Sequence, residues 1–170
     1  DTNSRISLSN NDLGTDNTVF GFLAGAALAD GSNDNTLIGD YAGTAINLGD
    51  YNVCIGSGAG NAFTNQQYNV FIGYDTGGGA INGAEHCVAI GGYALGDAAT
   101  QDGIVAIGHN ALAALTTGDD NVAVGYNALK TVISGSYNTG VGDAALALAT
   151  GSFNTGIGAL AGSNISHGEH

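Results

Sequence analysis

A five-residue pattern of polar, β-branched and apolar positions recurs nine times along the chain. Position two is always Thr or Val, position four is always large and apolar, and position five is always Gly. Side chains alternate between the two faces of a β-strand, so positions two and four share one face. Because that face is β-branched and apolar, we expect it to be buried. The nine copies read NTVFG, NTLIG, NVCIG, NVFIG, CVAIG, IVAIG, NVAVG, NTGVG and NTGIG.

The glycine at position five recurs at intervals of 16 to 18 residues. A position that is glycine in every copy indicates a positive φ or a close approach of two backbone segments. We therefore predict that these glycines form the corners at which each strand ends. The predicted corners are Gly21, Gly39, Gly56, Gly73, Gly91, Gly108, Gly125, Gly142 and Gly158.

The segment after each corner is small or apolar at offsets of three, four and seven residues, with Gly or Leu at offset four. These offsets fit one or two helical turns or a bent strand. Stacked strands repeat every ~4.8 Å, whereas packed helices need about 8–10 Å, so nine full helices would force strong curvature. The prediction is an all-β fold: a parallel β-solenoid, either a β-roll or a β-helix, of about nine 17-residue coils with tight or short helical corners. It covers residues 15–162, between a cap or assembly strand at 1–14 and a polar tail at 163–170.

Position one is Asn in seven of the nine copies. If coils stack in register, these side chains lie one above another and their amides form a ladder, as in other in-register β arrays. The predicted ladder consists of Asn17, Asn35, Asn52, Asn69, Asn121, Asn138 and Asn154.

Position three carries no polar residue in any copy, although it alternates with the face expected to be buried. A solvated strand face is normally polar. We therefore predict that position three points outward and is covered by another copy of the chain; the alternative is a flat, weakly hydrated surface. The side chains shrink toward the C-terminal copies, so three copies would enclose an axial gap that narrows in that direction. The predicted self-association residues are Val19, Leu37, Cys54, Phe71, Ala89, Ala106 and Ala123.

Composition narrows the classes of partner. The 170 residues contain 15 acidic side chains, two cations and no Pro, for a formal net charge of −13. Nucleic acids and anionic membrane surfaces are bound by clustered cations, so neither is an expected partner. No run of about 20 apolar residues is present, so no membrane insertion is expected.

Acidic residues collect just before position one of the pattern, where stacking would bring carboxylates together. Asp34, Asp50, Asp102 and Asp119 are weak candidate metal ligands, since Ca²⁺ prefers such oxygens. The glycine-rich nonapeptide of calcium-binding β-helices is absent. We expect a solvated acidic edge and no cofactor, with opportunistic calcium as the alternative.

Aromatic side chains occupy a column next to this acidic edge. They are expected to stack on one another, and the alternative is that they bind sugars or a partner. The column contains Tyr51, Tyr68, His86, Tyr137 and Phe153.

The chemistry of catalysis is not visible in the chain. No nucleophile elbow, zinc-protease motif or P-loop occurs, and each Asp lies in a repeat edge or turn. Cys54 and Cys87 fall two rungs apart, about 10 Å, which exceeds the ~7 Å Cα limit for a disulfide. We therefore expect a non-enzymatic protein without an intrachain disulfide.

The units NVAVGYNAL at 121–129 and VAIG at 105–108 resemble the head repeats of trimeric autotransporter adhesins. They are also similar to repeat regions of predicted bacteriophage tail fibres, in which N-T-A-I-G-x-x-A-L units recur. This resemblance implies an extracellular or virion-surface fibre, usually a homotrimer, that contacts a host surface. The 17-residue period is longer than the adhesin repeat, and no adhesive residue is carried over.

Together these observations favour a structural or adhesive fibre protein that associates with itself and contacts a host glycan or receptor. A close alternative is a subunit that polymerises end to end into an extracellular filament. Two minor alternatives are an ice-binding solenoid, which needs an exposed Thr array, and a polysaccharide-degrading β-helix, which needs paired carboxylates.

Overall fold

The computed structural model describes residues 14–79, 83–97 and 102–165, together with the backbone of residues 4–8. Nine of its ten strands are parallel and follow chain order in a single sheet, so they are joined by eight successive turns of the chain. The predicted all-β solenoid is confirmed, and its corners are turns, because the described residues contain no helix. The strands are β1 (Ser4–Leu8), β2 (Thr18–Phe22), β3 (Thr36–Ile38), β4 (Val53–Ile55), β5 (Val70–Ile72), β6 (Val88–Ile90), β7 (Val105–Ile107), β8 (Val122–Val124), β9 (Thr139–Val141) and β10 (Thr155–Ile157).

The register of the sheet places like positions of the pattern over one another. Thr36 pairs with Val53, Leu37 with Cys54 and Ile38 with Ile55, and the same alignment continues to β10. The antiparallel strand β1 pairs with β2 at the N-terminal end of the sheet. A spacing of 17 residues therefore corresponds to one turn around the solenoid.

The corner glycines lie in file along the edge where the strands end. Their φ angles lie between 115° and 143°, a region that other residues rarely adopt. At Gly39 a Cβ atom would lie 2.5 Å from the carbonyl oxygen of Gly56 in the next coil. The position thus needs glycine both for its φ angle and for the close approach of adjacent coils.

A β-turn follows each corner glycine and reverses the chain without a helix. The Ala42 N–H donates to the Gly39 carbonyl at 3.3 Å, and Tyr41, at the third place of this turn, has a φ of 57°. A type II turn requires positive φ at that place. The next turn is closed by the Ile46 N–H donating to the Gly43 carbonyl at 3.1 Å.

The core is a narrow column inside the coils. Each three-residue strand from β3 to β9 buries its central residue and leaves the two flanking residues half-buried. The small residue at offset three and the apolar residue at offset seven complete the interior, as Ala42 and Ile46 do beside Leu37. Because one side chain per strand fills the interior, stability depends on stacking of neighbouring coils.

Position three and offset four share the same interior space, both within a coil and between adjacent coils. A Cβ atom on Gly43 would lie 2.7 Å from Cδ2 of Leu37, and one on Gly140 would lie 3.1 Å from Cγ of Leu129. In the first four copies the large residue is at position three and offset four is Gly; in the next four the large residue is Leu at offset four. The second group pairs Ala89, Ala106, Ala123 and Gly140 with Leu95, Leu112, Leu129 and Leu146. In the first eight coils the shrinking of position three is therefore compensated inside the solenoid by leucine at offset four, and it does not taper an external gap.

The asparagines of position one are buried and form the ladder that their spacing suggests. The backbone N–H and Nδ2 of Asn52 both donate to Oδ1 of Asn35, at 2.9 and 3.1 Å. Nδ2 of Asn52 also donates to the Gln66 carbonyl of the closing loop at 2.8 Å. Each side chain thus satisfies backbone groups of two coils that burial would otherwise leave without partners. Cys87 and Ile104 occupy position one in the fifth and sixth copies, which divides the ladder into two runs.

Candidate functional site

The residues predicted to mediate self-association are inside the solenoid. Position three is at most 1% exposed in all seven, so the prediction that it faces outward is wrong. A strand alternates with a period of two, and an error of one residue exchanges the two faces. The buried asparagines at position one require position three to face inward with them. The residues concerned are Val19, Leu37, Cys54, Phe71, Ala89, Ala106 and Ala123.

The outer face of the sheet is formed instead by positions two and four. These 18 side chains, two on each of nine strands, are Thr, Val, Ile or Phe, and none is charged. Most are half-buried because the rungs above and below cover part of each side chain; Phe20 at one end is 53% exposed and Ile157 at the other is 73% exposed. We call this surface the outer apolar face.

The outer apolar face is long and regular. Nine rungs at ~4.8 Å span about 38 Å, and two columns of side chains make the strip roughly 10 Å wide. The resulting patch of roughly 400 Å² lies in the size range in which exposed apolar patches are often functional. Position two is Thr in the two outermost rungs at each end and Val in the five central rungs, so the most apolar part is central.

An aromatic file borders the face on the side where the strands begin. Tyr51 and Tyr68 stack with ring centroids 5.0 Å apart and planes 4° apart, and His86 continues the stack 5.3 Å from Tyr68. Tyr137 and Phe153 form a second stack at 5.1 Å. Within each stack neighbouring rings cover one another's faces, which confirms the expected stacking.

A second aromatic file lies beyond the corner glycines, and the sequence analysis missed it. Tyr74, Tyr93, His109 and Tyr126 follow one another in successive coils at centroid distances of 5.4 to 5.8 Å. Tyr93 is edge-on to both neighbours, with interplanar angles of 77° and 75°. An available signal was the aromatic or imidazole ring one or two residues after Gly in four successive copies.

Three carboxylates of the acidic edge accept backbone hydrogen bonds from the preceding coil. Asp50 accepts from the Asn33 N–H at 2.7 Å, and Asp102 accepts from the Glu85 N–H at 2.8 Å. Asp119 accepts from the Asp102 N–H at 3.3 Å. These bonds give the carboxylates a structural role between coils, which Ser136 also performs for the Asp119 N–H.

The fourth candidate ligand, Asp34, occupies a different column. Its negative charge, with that of Tyr68 and with burial, raises the pKa of Tyr51. Within residues 14–79, 83–97 and 102–165, no three His, Cys, Asp or Glu side chains are grouped so as to hold a metal ion. The structure thus does not gather Asp34, Asp50, Asp102 and Asp119 into one site.

Both cysteines lie in the core. Burial raises the pKa of the Cys54 thiol to about 12 and that of Cys87 to about 11. The Cys87 thiol also donates to the Glu85 carbonyl at 3.4 Å. Because the thiolate is the reactive form, neither side chain is suited to nucleophilic chemistry near neutral pH.

Comparisons with protein-family models, with curated proteins and with solved structures gave no match. No helix long and apolar enough to cross a membrane occurs among the residues that the structure describes. The geometry of the chain itself therefore carries the functional argument, and the outer apolar face is its main feature.

Proposed function

We propose that this protein is a non-enzymatic structural and adhesive segment of an extracellular or virion-surface fibre. Copies of the chain associate through the outer apolar face and present their remaining sides to a host surface. The observation that carries the proposal is the uncharged strip of Thr, Val, Ile and Phe side chains along all nine parallel strands. This strip lies at positions two and four, whereas the sequence predicted a self-association surface at position three. The proposed role in self-association is the same.

A second copy of the chain is the occupant that fits this face best. Every copy presents the same repeat of one rung per ~4.8 Å, so side chains of two or three copies interdigitate along the full length. The interior of each coil is already filled by its own side chains, so the face is available for contacts between copies. Apolar centres with more polar ends are typical of protein interfaces, and Thr at both ends with Val in the middle follows that arrangement.

The test is the mass of the native protein in solution. We expect a multiple of 16.7 kDa, with three copies as the form that the repeat resemblance favours. Ile72→Lys and Val88→Lys place a charge in the centre of the face and are expected to yield folded monomer. Ile133→Lys is the control, because Ile133 is 59% exposed and lies outside the face. A wild-type monomer at all concentrations would refute self-association.

The filament alternative rests on the ends of the sheet. Among the described residues, β1 pairs only with β2 and β10 pairs only with β9, so each has one edge open to another strand. Such edges can pair with a further chain. Electron microscopy distinguishes the two cases: short rods of uniform length support lateral association alone, and long threads support end-to-end polymerisation.

One observation favours an ice-binding role, and another argues against it. The sequence predicts that the threonines of position two face the interior of the coil, which would argue against ice binding. They lie on the outer face, so that prediction is wrong. Yet position two is Val in the five central rungs, and position four is Ile, Val or Phe throughout. The face is thus far more apolar than a Thr array, which favours a protein partner.

A further inference from the structure

A groove of about 380 Å³ crosses four successive coils on the side of the solenoid that follows the corner glycines. Asp75 comes from the coil of β5, Asp97 from the coil of β6, Asn110 from that of β7 and Lys130 from that of β8. At ~4.8 Å per rung, four coils give the groove a length of about 14 Å. Small residues, Ala113 among them, complete its lining. It therefore combines an accessible depression with several kinds of polar side chain.

The polar groups of the groove have unused hydrogen-bonding capacity. Lys130 is the only lysine or arginine whose side chain the structure describes, and it makes no ion pair with a described carboxylate. The Asp75 and Asp97 carboxylates likewise form no hydrogen bond or ion pair within the described part of the chain. Asn110 donates Nδ2 to Oδ1 of Asn127 at 3.2 Å, which leaves its own oxygen as an acceptor.

An aromatic side chain contributes an apolar surface to the same groove. Tyr93 lines it and is 42% exposed. Its ring is edge-on to Tyr74 and His109, unlike the Tyr51–Tyr68 pair, whose faces cover each other. Because Tyr93 is 42% exposed, part of its ring is available to contact C–H groups of a ligand.

These groups match one ligand chemistry. Carboxylate and amide oxygens accept from hydroxyl groups, an ammonium donates to hydroxyl, ether or carbonyl oxygens, and an aromatic ring packs on C–H groups. Two carboxylates against one ammonium leave the groove negative in a chain of net charge −13, which disfavours an anionic ligand. We propose that this groove binds a neutral oligosaccharide. The inference rests on the proposed adhesive role and gives it a place on the molecule and a ligand class.

The groove is tested with the full chain and defined sugars. The neutral probes are maltotriose, mannotriose and the trimer of N-acetylglucosamine, and sialyllactose is the anionic comparison; binding is followed by saturation-transfer NMR and calorimetry. We expect at least one neutral probe to bind. Ala113→Phe fills the groove and Asp97→Ala removes an acceptor, and each should weaken that binding by about tenfold or more.

The matched controls repeat the same substitutions away from the groove. Ala26 occupies the same place in its coil as Ala113, and Asp30 is an exposed carboxylate of that coil, so Ala26→Phe and Asp30→Ala should leave affinity unchanged. The inference is overturned if no neutral probe binds, if Ala113→Phe has no effect, or if sialyllactose binds more tightly than every neutral probe.

Measuring the mass of the protein in the same samples separates this inference from the proposed self-association. Assembled protein that binds no neutral probe overturns the groove assignment alone. Monomeric protein that binds a neutral probe, with loss in Ala113→Phe, supports the groove and refutes association through the outer apolar face.

Discussion

At the scale of single residues, the solenoid depends on polar side chains that satisfy the backbone of the next coil. The buried side chain of Asn52 accepts two hydrogen bonds from Asn69, at 3.1 and 3.3 Å, and donates two of its own. Outside the core, Asp50 and Asp102 each accept a hydrogen bond from one backbone N–H group of the preceding coil. The Asn ladder is visible as a column in the sequence, whereas the second column mixes Thr, Asn, Asp, Gln, Glu and Ser, so the sequence indicates only an acidic edge.

Asn52→Ala is expected to lower the free energy of unfolding by about 3 kcal/mol, because it leaves buried groups of Asn69 and Gln66 without partners. The measurement is denaturant unfolding followed by circular dichroism. Asn47→Ala is the control, since Asn47 is exposed and makes a single side-chain bond, to the Ala27 carbonyl at 3.2 Å. Its cost should stay within about 0.5 kcal/mol. Equal costs for the two variants would contradict the structural role of the ladder.

Burial of the Cys54 thiol is expected to lower the stability of the folded protein as the pH rises into the alkaline range. Its thiol pKa rises from 9.0 to about 12 on folding because burial disfavours the thiolate. The unfolded chain therefore loses this proton first as pH rises above 9.0, so the contribution of the neutral thiol is complete below that pH and is lost between pH 9.0 and about 12.

Between about pH 8 and about pH 10.5, the wild type should lose about 2 kcal/mol more stability than Cys54→Ala. Denaturant unfolding of both proteins at each pH measures the difference. Every other titratable group is the same in the two proteins, so the comparison isolates Cys54. Parallel pH profiles would show that ionisation of Cys54 is not coupled to folding.

At the scale of the repeat element, position three and offset four together fill the interior next to each strand. Leu37 lies between Gly25 and Gly43, which would clash with it if either carried a Cβ atom, at 2.9 and 2.7 Å. From the coil of β6 onward, the large side chain moves to offset four, where Leu95 has a φ of 51°. The alternation of Gly and Leu at offset four was visible in the sequence, but its link to position three requires the two positions to be in contact.

This sharing predicts that two harmful substitutions compensate each other. Leu95→Gly alone should leave a cavity and cost about 3 kcal/mol, and Ala89→Leu alone should overpack the coil and cost about 2 kcal/mol. In the double variant, the large side chain at position three lies between two glycines at offset four. Leu37 has the same arrangement in the wild-type protein. The double variant should therefore be more stable than the sum by about 2 kcal/mol. Denaturant unfolding of all four proteins gives the coupling, and additive costs would show that the positions do not share space.

At the scale of the whole molecule, stability is expected to be close to a sum of coils and the contacts between neighbours. The sheet order follows the chain order without exception, so each coil contacts only the coils beside it. This organisation makes the length of the solenoid adjustable in steps of one coil.

Deletion of residues 109–125 joins one corner glycine to the residue that follows the next corner, so it removes one coil and keeps the register. We expect a folded protein with unchanged spectral shape and lower stability. Deletion of 109–117 is the matched contrast, because it leaves too few residues between β7 and β8 to wind around the coil. Circular dichroism and denaturant unfolding compare the two. If both deletions behave alike, the repeat is not an independent structural unit.

The sequence by itself determined the period, the parallel in-register sheet, the corner glycines and the column of asparagines, because each of these is a spacing along one dimension. The tertiary structure alone decided which face of each strand is inside. Alternation specifies that positions two and four lie opposite position three, but apolar residues at all three positions leave the direction open. The interior accepts only one side chain per strand, and the Asn side chains bury position three with position one. The Thr, Val and Ile side chains are left outside, and the surface available for association is decided by that packing.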